Sequence, residues 1–297
     1  MASLLIPGQK DGVFNPDNTT NPPEGTSVFS LLSLKGRSAI VTGGGGGIGF
    51  GVVEALAEAG ANVVLWYNSN TAAVEKAEKV SKTYGVICKA YKVKITEEAA
   101  VKEAIDTAVR ELNGRLDIFV ANAAIPWLHG PILDVDTSHY HNILDINLHS
   151  VFYAAKAAGN HFRRQKKEGT AVDGKKLEDF DRGSFIITTS IAGTNVLLPA
   201  AMAPYCMTKA ALIHLTKCLA IEWAPFARVN AISPAYIGTD MTGKCPDDLR
   251  VTWASLTPMG REGVVSECKA AFLYMASDAS SYTTGSNLMV DGGYTCV

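Results

Sequence analysis

The sequence predicts an α/β fold: a single domain built on a doubly wound parallel sheet of about seven strands flanked by helices. Three observations predict it. From Ser38 onward, short apolar runs alternate with amphipathic stretches of about 12–18 residues, the rhythm of βαβ units. A run of five glycines, 43–47, lies where the first such strand turns into the first such helix. No composition shift or short-period repeat divides the chain, whose 297 residues suit one large α/β domain or two small ones.

Residues 1–33 are rich in Pro, Asn, Gly and Ser without periodicity and predict an extended arm, ordered only where it packs on something. "SAIVT" (38–42) reads as a buried strand and "GFGVVEALAEAG" (49–60) as a helix with Ala and Leu on one face. "NVVLWY" (62–67) is a second strand, and Thr71 opens a helix in "TAAVEKAEKVSKTYG" (71–85). The strand "VICKAYKVKI" (86–95), the helix "TEEAAVKEAIDTAVRELNG" (96–114) and the strand "LDIFVANA" (116–123) follow. A long helix is predicted over 137–163, then a strand at "GSFIITTS" (183–190) and a helix over 204–225. The strand "RVNAISP" (228–234), a helix over 263–276 and the strand "SNLMVDGG" (286–293) close the sheet. The charged stretch 163–183 departs from the compact pattern. It reads as a solvated surface loop, with a partner-contacting flap as the alternative.

Bulk properties exclude several classes. The net charge of −2 points neither to nucleic acid nor to an anionic membrane. No apolar run approaches the roughly 18–20 residues that span a bilayer. The first residues lack a basic stretch followed by an apolar one, so no secretory signal is expected. Six cysteines show no CxxC pair, which predicts free thiols in a reducing, cytoplasmic compartment. The histidines lack metal spacing, and no metal is expected; His139 and His141 read as solvated helix residues.

The glycine run follows a strand and opens a helix. Backbone N–H groups and the positive helix end then face a site where a pyrophosphate can sit. Two registers fit: Gly44, Gly46 and Gly49 as GxGxxG, or Gly43, Gly47 and Gly49 as TGxxxGxG, the second being preferred. The acid that binds the ribose 2′-hydroxyl of NAD should end the second strand. That strand ends instead in Tyr67-Asn68-Ser69-Asn70, and no Asp or Glu occurs between Glu58 and Glu75. Neutral donors from Asn68 and Ser69 accommodate a 2′-phosphate, which favours NADP(H). No Arg or Lys lies between Arg37 and Lys76, so the charge partner is not visible locally; Lys94 is a candidate from the neighbouring loop.

Tyr205 and Lys209 are four apart on a predicted helix and share a face. A phenol near pKa 10 is a poor acid/base at neutral pH. An ammonium about 4 Å away at an effective dielectric of about 20 supplies roughly 4 kcal/mol, enough to bring it near neutrality. Ser190 ends a strand at the carboxyl edge where α/β folds bind ligands, and its hydroxyl can hold a carbonyl oxygen.

This ordered set resembles the short-chain dehydrogenase/reductase family from about Leu34 to Val297. The matching pieces are "TGGGGGIG" (42–49), "ANAA" (121–124), Asn147 in "INLHS", Ser190, "YCMTK" (205–209), "SPAYIGT" (233–239) and "DGG" (291–293). The resemblance implies a Rossmann-type catalytic domain over 34–297 and a Tyr-Lys-Ser-Asn tetrad. Tyr205 is then the proton donor, Lys209 lowers its pKa and binds the nicotinamide ribose, and Asn147 anchors a water. The cofactor lies along Gly43, Gly47, Ile48 and Gly49, then Tyr67, Asn68, Ser69, Lys94 and Asn122, with Pro234, Ile237 and Thr239 at the nicotinamide end. Three departures affect fine cofactor geometry: Ala124 and Ala235 replace usual glycines, and Lys94 stands where an Asp commonly contacts adenine.

"WYNSN", "CLAIEWAPFARVNAISPAYIGTDMT", "LTPMGREG" and "DGGYTC" look like the fungal and yeast sorbose reductase and NADP-dependent mannitol dehydrogenase group. That resemblance implies an NADP(H)-dependent oxidoreductase reducing a ketose or hydroxyketone to a secondary alcohol, and a dimer or homotetramer. A pathway-specific reductase or cyclase of a specialised intermediate is the alternative reading, and a non-enzymatic NADP(H)-binding protein a further one. The family's substrate loop falls at 239–258. Met241 and Trp253 there, with Trp127 and Leu197, are candidate pocket walls for a neutral carbonyl or alcohol substrate.

Overall fold

The computed structural model describes residues 9–10, 13–14, 20–23, 27–177 and 179–297. Most of the arm predicted at 1–33 lies outside the described residues. Of it, residues 9–10 pair antiparallel with 13–14, and helix α1 spans Val28–Leu32.

The strands are β1 (Ser38–Thr42), β2 (Asn62–Tyr67), β3 (Cys88–Lys92), β4 (Ile118–Ala121), β5 (Gly183–Thr188), β6 (Ala227–Pro234) and β7 (Asn287–Val290). They form one seven-stranded sheet in the order β3-β2-β1-β4-β5-β6-β7, every pair parallel. The order reverses between β1 and β4, which opens a crevice at the carboxyl ends of these strands. A buried parallel strand shows apolar residues on both faces, and β1, β4, β5 and β6 are buried along their whole length.

Helices cover both faces. On one side pack α2 (Gly47–Glu58), α3 (Ala73–Tyr84) and α9 (Val265–Ala276), burying Val53, Leu56 and Phe272 against Val41, Leu65 and Val120. On the other pack α4 (Glu98–Glu111), α6 (Ser150–Glu168) and α7 (Ala203–Glu222). There Trp66 meets the edge of Phe119, which stacks on Phe185 at 5.3 Å. Burying each such aromatic contributes about 2–3 kcal/mol. Among the described residues, no helix is long and apolar enough to cross a membrane.

The fold is the expected one, with local differences. Thr71 does not open α3; the cap position is Ala72, without a side-chain hydrogen bond. Strand β3 stops at Lys92 because the next residues, 93–96, leave the sheet edge to wall a cavity. The long helix over 137–163 is two helices, α5 (Thr137–Leu144) and α6, joined by a π-helical turn at Asp145–His149. Helix α6 runs on to Glu168 and ends at Gly169, whose φ of +65° is the left-handed cap conformation. Residues 163–168 of the charged stretch are therefore helical. The rest is pinned to the protein body through Arg115–Asp179 at 2.6 Å, Lys166–Asp181 at 2.7 Å and Val172 N–H to Gly114 O. Within the loop at 239–258, α8 (Asp247–Ser255) is helical. His139 is not simply solvated: its ring stacks on His129 at 3.7 Å.

Candidate active site

A cavity of about 710 Å³ opens at the carboxyl ends of β1, β2, β4, β5 and β6. The glycine turn forms its floor. Gly43 and Gly47 have φ of +66° and +51°, the left-handed conformation that glycine adopts without strain. At Gly49 the constraint is contact: a Cβ there would lie 2.2 Å from Gly43 O and 2.5 Å from Asn122 Nδ2. Gly46 and Gly47 differ, since a Cβ on either would meet nothing closer than 3.4 Å and would project toward the cavity. Bare backbone at the start of α2 thus faces open space, a cradle for a pyrophosphate. Thr42 fixes this loop against the end of β4: its Oγ1 accepts from the Asn122 and Ala123 N–H groups at 2.9 Å each.

Along one side, Tyr67, Asn68, Lys94 and Asn122 line the cavity, whereas Ser69 does not. Lys94 is ion-paired to Glu97 at 2.6 Å and is largely exposed. On the other side lie Ser190, Tyr205 and Lys209, with Ile48, Pro234, Ile237, Thr239 and Met241 completing the walls.

Ser190 caps a 3₁₀ turn at Ile191–Gly193, its Oγ accepting from Ala192 N–H at 3.1 Å. The turn packs closely on α7, where Tyr205 and Lys209 occupy successive turns; Pro204 helps start that helix. Lys209 is 2% exposed and donates to Thr188 O at 2.9 Å. Its Nζ lies 5.6 Å from the Tyr205 ring centroid.

The electrostatics reverse one expectation. Lys209 does not bring Tyr205 toward neutrality. Burial pushes the phenol up to about 12, partly opposed by a hydrogen bond with Ser190. Burial likewise lowers Lys209 to about 8. Loss of water on burial is the largest cause of both shifts.

Asn147 sits behind the wall, not on it. It lies in the π-helical turn, 1% exposed, and both ends of its amide are occupied: Oδ1 accepts from Ile125 N–H and Nδ2 donates to Ile125 O, each at 2.9 Å. The side chain therefore clamps the loop after β4 with one of its two N–H donors and one oxygen lone pair.

Of the four suggested substrate walls, only Met241 lines the cavity. Trp127 turns its indole to Gly130 O at 2.7 Å, Leu197 is buried with Tyr294, and Trp253 stacks on Tyr236 at 4.1 Å. Sequence reasoning passed over Asn142, Ile146 and Asp240, which do line it. Asn142 and Ile146 are four apart and adjoin Asn147, so helical spacing was a usable signal for them. Among the described residues, no cluster of His, Cys, Asp and Glu is arranged to hold a metal.

A family model described as enoyl-(acyl carrier protein) reductase matches residues 43–295. The chain is 52% identical over 286 residues to the L-xylulose reductase of Hypocrea jecorina (strain QM6a), covering 96% of this chain and 99% of that one. It is 46% identical over 280 residues to a sorbose reductase of Candida albicans, covering 94% of each. It is 41% identical over 278 residues to an NADP-dependent mannitol dehydrogenase of Alternaria alternata, covering 93% and 98%. Among solved structures it is similar to the NADPH-dependent 3-quinuclidinone reductase from Rhodotorula rubra, with a TM-score of 0.85 at 39% identity, covering 94% of this chain and 98% of that one.

Proposed function

Because the chain belongs to the short-chain dehydrogenase/reductase family, we propose that it reduces the ketone of a ketose or hydroxyketone to a secondary alcohol with NADP(H). One observation carries the reading: a glycine cradle and the Ser190, Tyr205 and Lys209 side chains line the same cavity. NADPH, when bound, supplies the hydride. Gly43, Gly47, Ile48 and Gly49 would hold its pyrophosphate. Tyr67, Asn68 and Asn122 border its adenosine half, and Pro234, Ile237 and Thr239 the nicotinamide half.

Ser190 positions the carbonyl oxygen and Tyr205 gives it a proton. A phenol held at about 12 stays protonated at neutral pH, the state that reduction needs. Alcohol oxidation needs the phenolate, so its rate rises with pH. Lys209, at about 8, can restore the proton near neutrality and bind ribose hydroxyls. The relatives named as xylulose and sorbose reductases support a ketose. Asn142 and Asp240 offer polar partners for its hydroxyls.

NADPH oxidation with xylulose, sorbose, fructose and an aryl hydroxyketone tests this. Turnover of at least one, falling about 10²–10⁴-fold in Tyr205→Phe while NADPH still binds, is expected. Full activity in Tyr205→Phe would overturn the reading.

We further propose a homo-oligomer in a reducing, cytoplasmic compartment. Exposed Phe152 on α6 and Met207 and Ile221 on α7 support the first, and the six free thiols the second. Light scattering that gave a monomer would refute the assembly.

A further inference from the structure

The strand that ends beside the adenosine half of the cavity carries no cation, yet a 2′-phosphate brings close to two negative charges. The nearby basic residues divide sharply. Arg37 precedes β1 at the amino ends of the strands, away from the cavity, engaged with Asp117 and Asp278. Lys94 lines the cavity and is paired with Glu97 at 2.6 Å.

Lys76, one turn into α3, is different. Its Nζ donates to Gly45 O at 2.8 Å and lies 4.8 Å from the centroid of the Phe50 ring. Asn70 Nδ2 donates to the same carbonyl at 2.9 Å, which ties the β2–α3 loop to the glycine turn. These contacts hold the ammonium without cancelling its charge. Among the described residues, Lys76 has no carboxylate within ion-pair distance. An ammonium has three donors, and the Gly45 carbonyl takes one.

We propose that Lys76, held by the Gly45 carbonyl and the Phe50 ring, is the residue that selects the 2′-phosphate of NADP(H) over the free hydroxyl of NAD(H). It lies nine residues beyond the end of β2, past the stretch where a sequence reading looks for this charge. The inference rests on the NADP(H) reading above.

The test is equilibrium binding of NADPH, NADH, 2′,5′-ADP and 5′-ADP to the wild type and to Lys76→Gln, Lys76→Arg and Lys92→Gln. Lys92 lies opposite Tyr67 in the strand register and is the competing cation. One charge-assisted contact to phosphate corresponds to about a 10- to 100-fold change in affinity. Lys76→Gln is expected to weaken NADPH and 2′,5′-ADP by about that factor and to leave NADH and 5′-ADP within about twofold. Lys76→Arg restores most of the loss. Equal weakening of all four ligands, no weakening, or a larger selective loss in Lys92→Gln would overturn the assignment. A wild type that does not prefer NADPH to NADH would overturn the cofactor reading itself, and the inference with it.

Discussion

Lys209→Met is expected to abolish turnover and yet make the protein more stable. The ammonium is 2% exposed, and burial brings it from 10.5 to about 8. Keeping it charged at pH 7 therefore costs about 3 kcal/mol relative to an unburied lysine. Methionine has similar length and no charge. It withdraws one donor from the Thr188 carbonyl, a loss of about 1 kcal/mol. The net gain is about 2 kcal/mol, or a rise in Tm of about 4–8 °C for a domain of this size. The sign fixes a pH window. The folded value lies below the unfolded one, so between about 8 and 10.5 the unfolded chain binds more protons and the wild type gains stability as pH rises. The penalty is complete below about 8 and gone above about 10.5. Thermal melts of both proteins at pH 7 and pH 10 should show the gap shrinking. A variant that melts below the wild type at pH 7, or a gap independent of pH, would refute the reasoning.

Two further outcomes follow from close contacts. In Gly49→Ala the new methyl meets backbone at 2.2 Å, so the turn must open; loss of the NADPH-dependent shift in Tm, with a lower Tm overall, is expected. Asp117→Ala leaves the buried Arg115 with only the half-exposed Asp179 as partner and removes the acceptor for Ser38 N–H. It should destabilise the fold by about 3 kcal/mol in urea titrations with little change in KM, because this pair lies at the amino ends of β1 and β4, opposite the carboxyl ends where the cavity opens.

What could be read from the sequence had a local cause. β1, β4, β5 and β6 are buried on both faces, so each shows as an uninterrupted apolar run. The glycine turn is legible because φ at Gly43 and Gly47 and contact at Gly49 leave no other residue type. Tyr205, Lys209 and Ser190 follow from helix spacing and strand ends. The failures were long-range. Trp253 faces Tyr236 because α8 folds back over that ring, which no spacing within 239–258 encodes. Lys76 reaches Gly45 across 31 positions of chain. The Tyr205 pKa was judged from one neighbouring charge, while burial, a property of the whole fold, decides it.

Asn147 has a structural role that its motif alone does not show. Its place in "INLHS" singles it out, yet a uniform helix over 137–163 would give it no special role. The π-helical turn at Asp145–His149 inserts an extra residue and shifts the side chains around the helix axis. Asn142 and Ile146 then face the cavity while Asn147 faces Ile125. A π-helical turn is less stable than regular helix, so something must offset it. Two hydrogen bonds made in a site 1% exposed do so, at roughly 1 kcal/mol each. The side chain thereby fixes the loop between Asn122 and Ile125, which walls the cavity beside Gly43 and Gly49. The clamp thus holds the wall beside Gly43 and Gly49 and the wall formed by Asn142 and Ile146 in one arrangement.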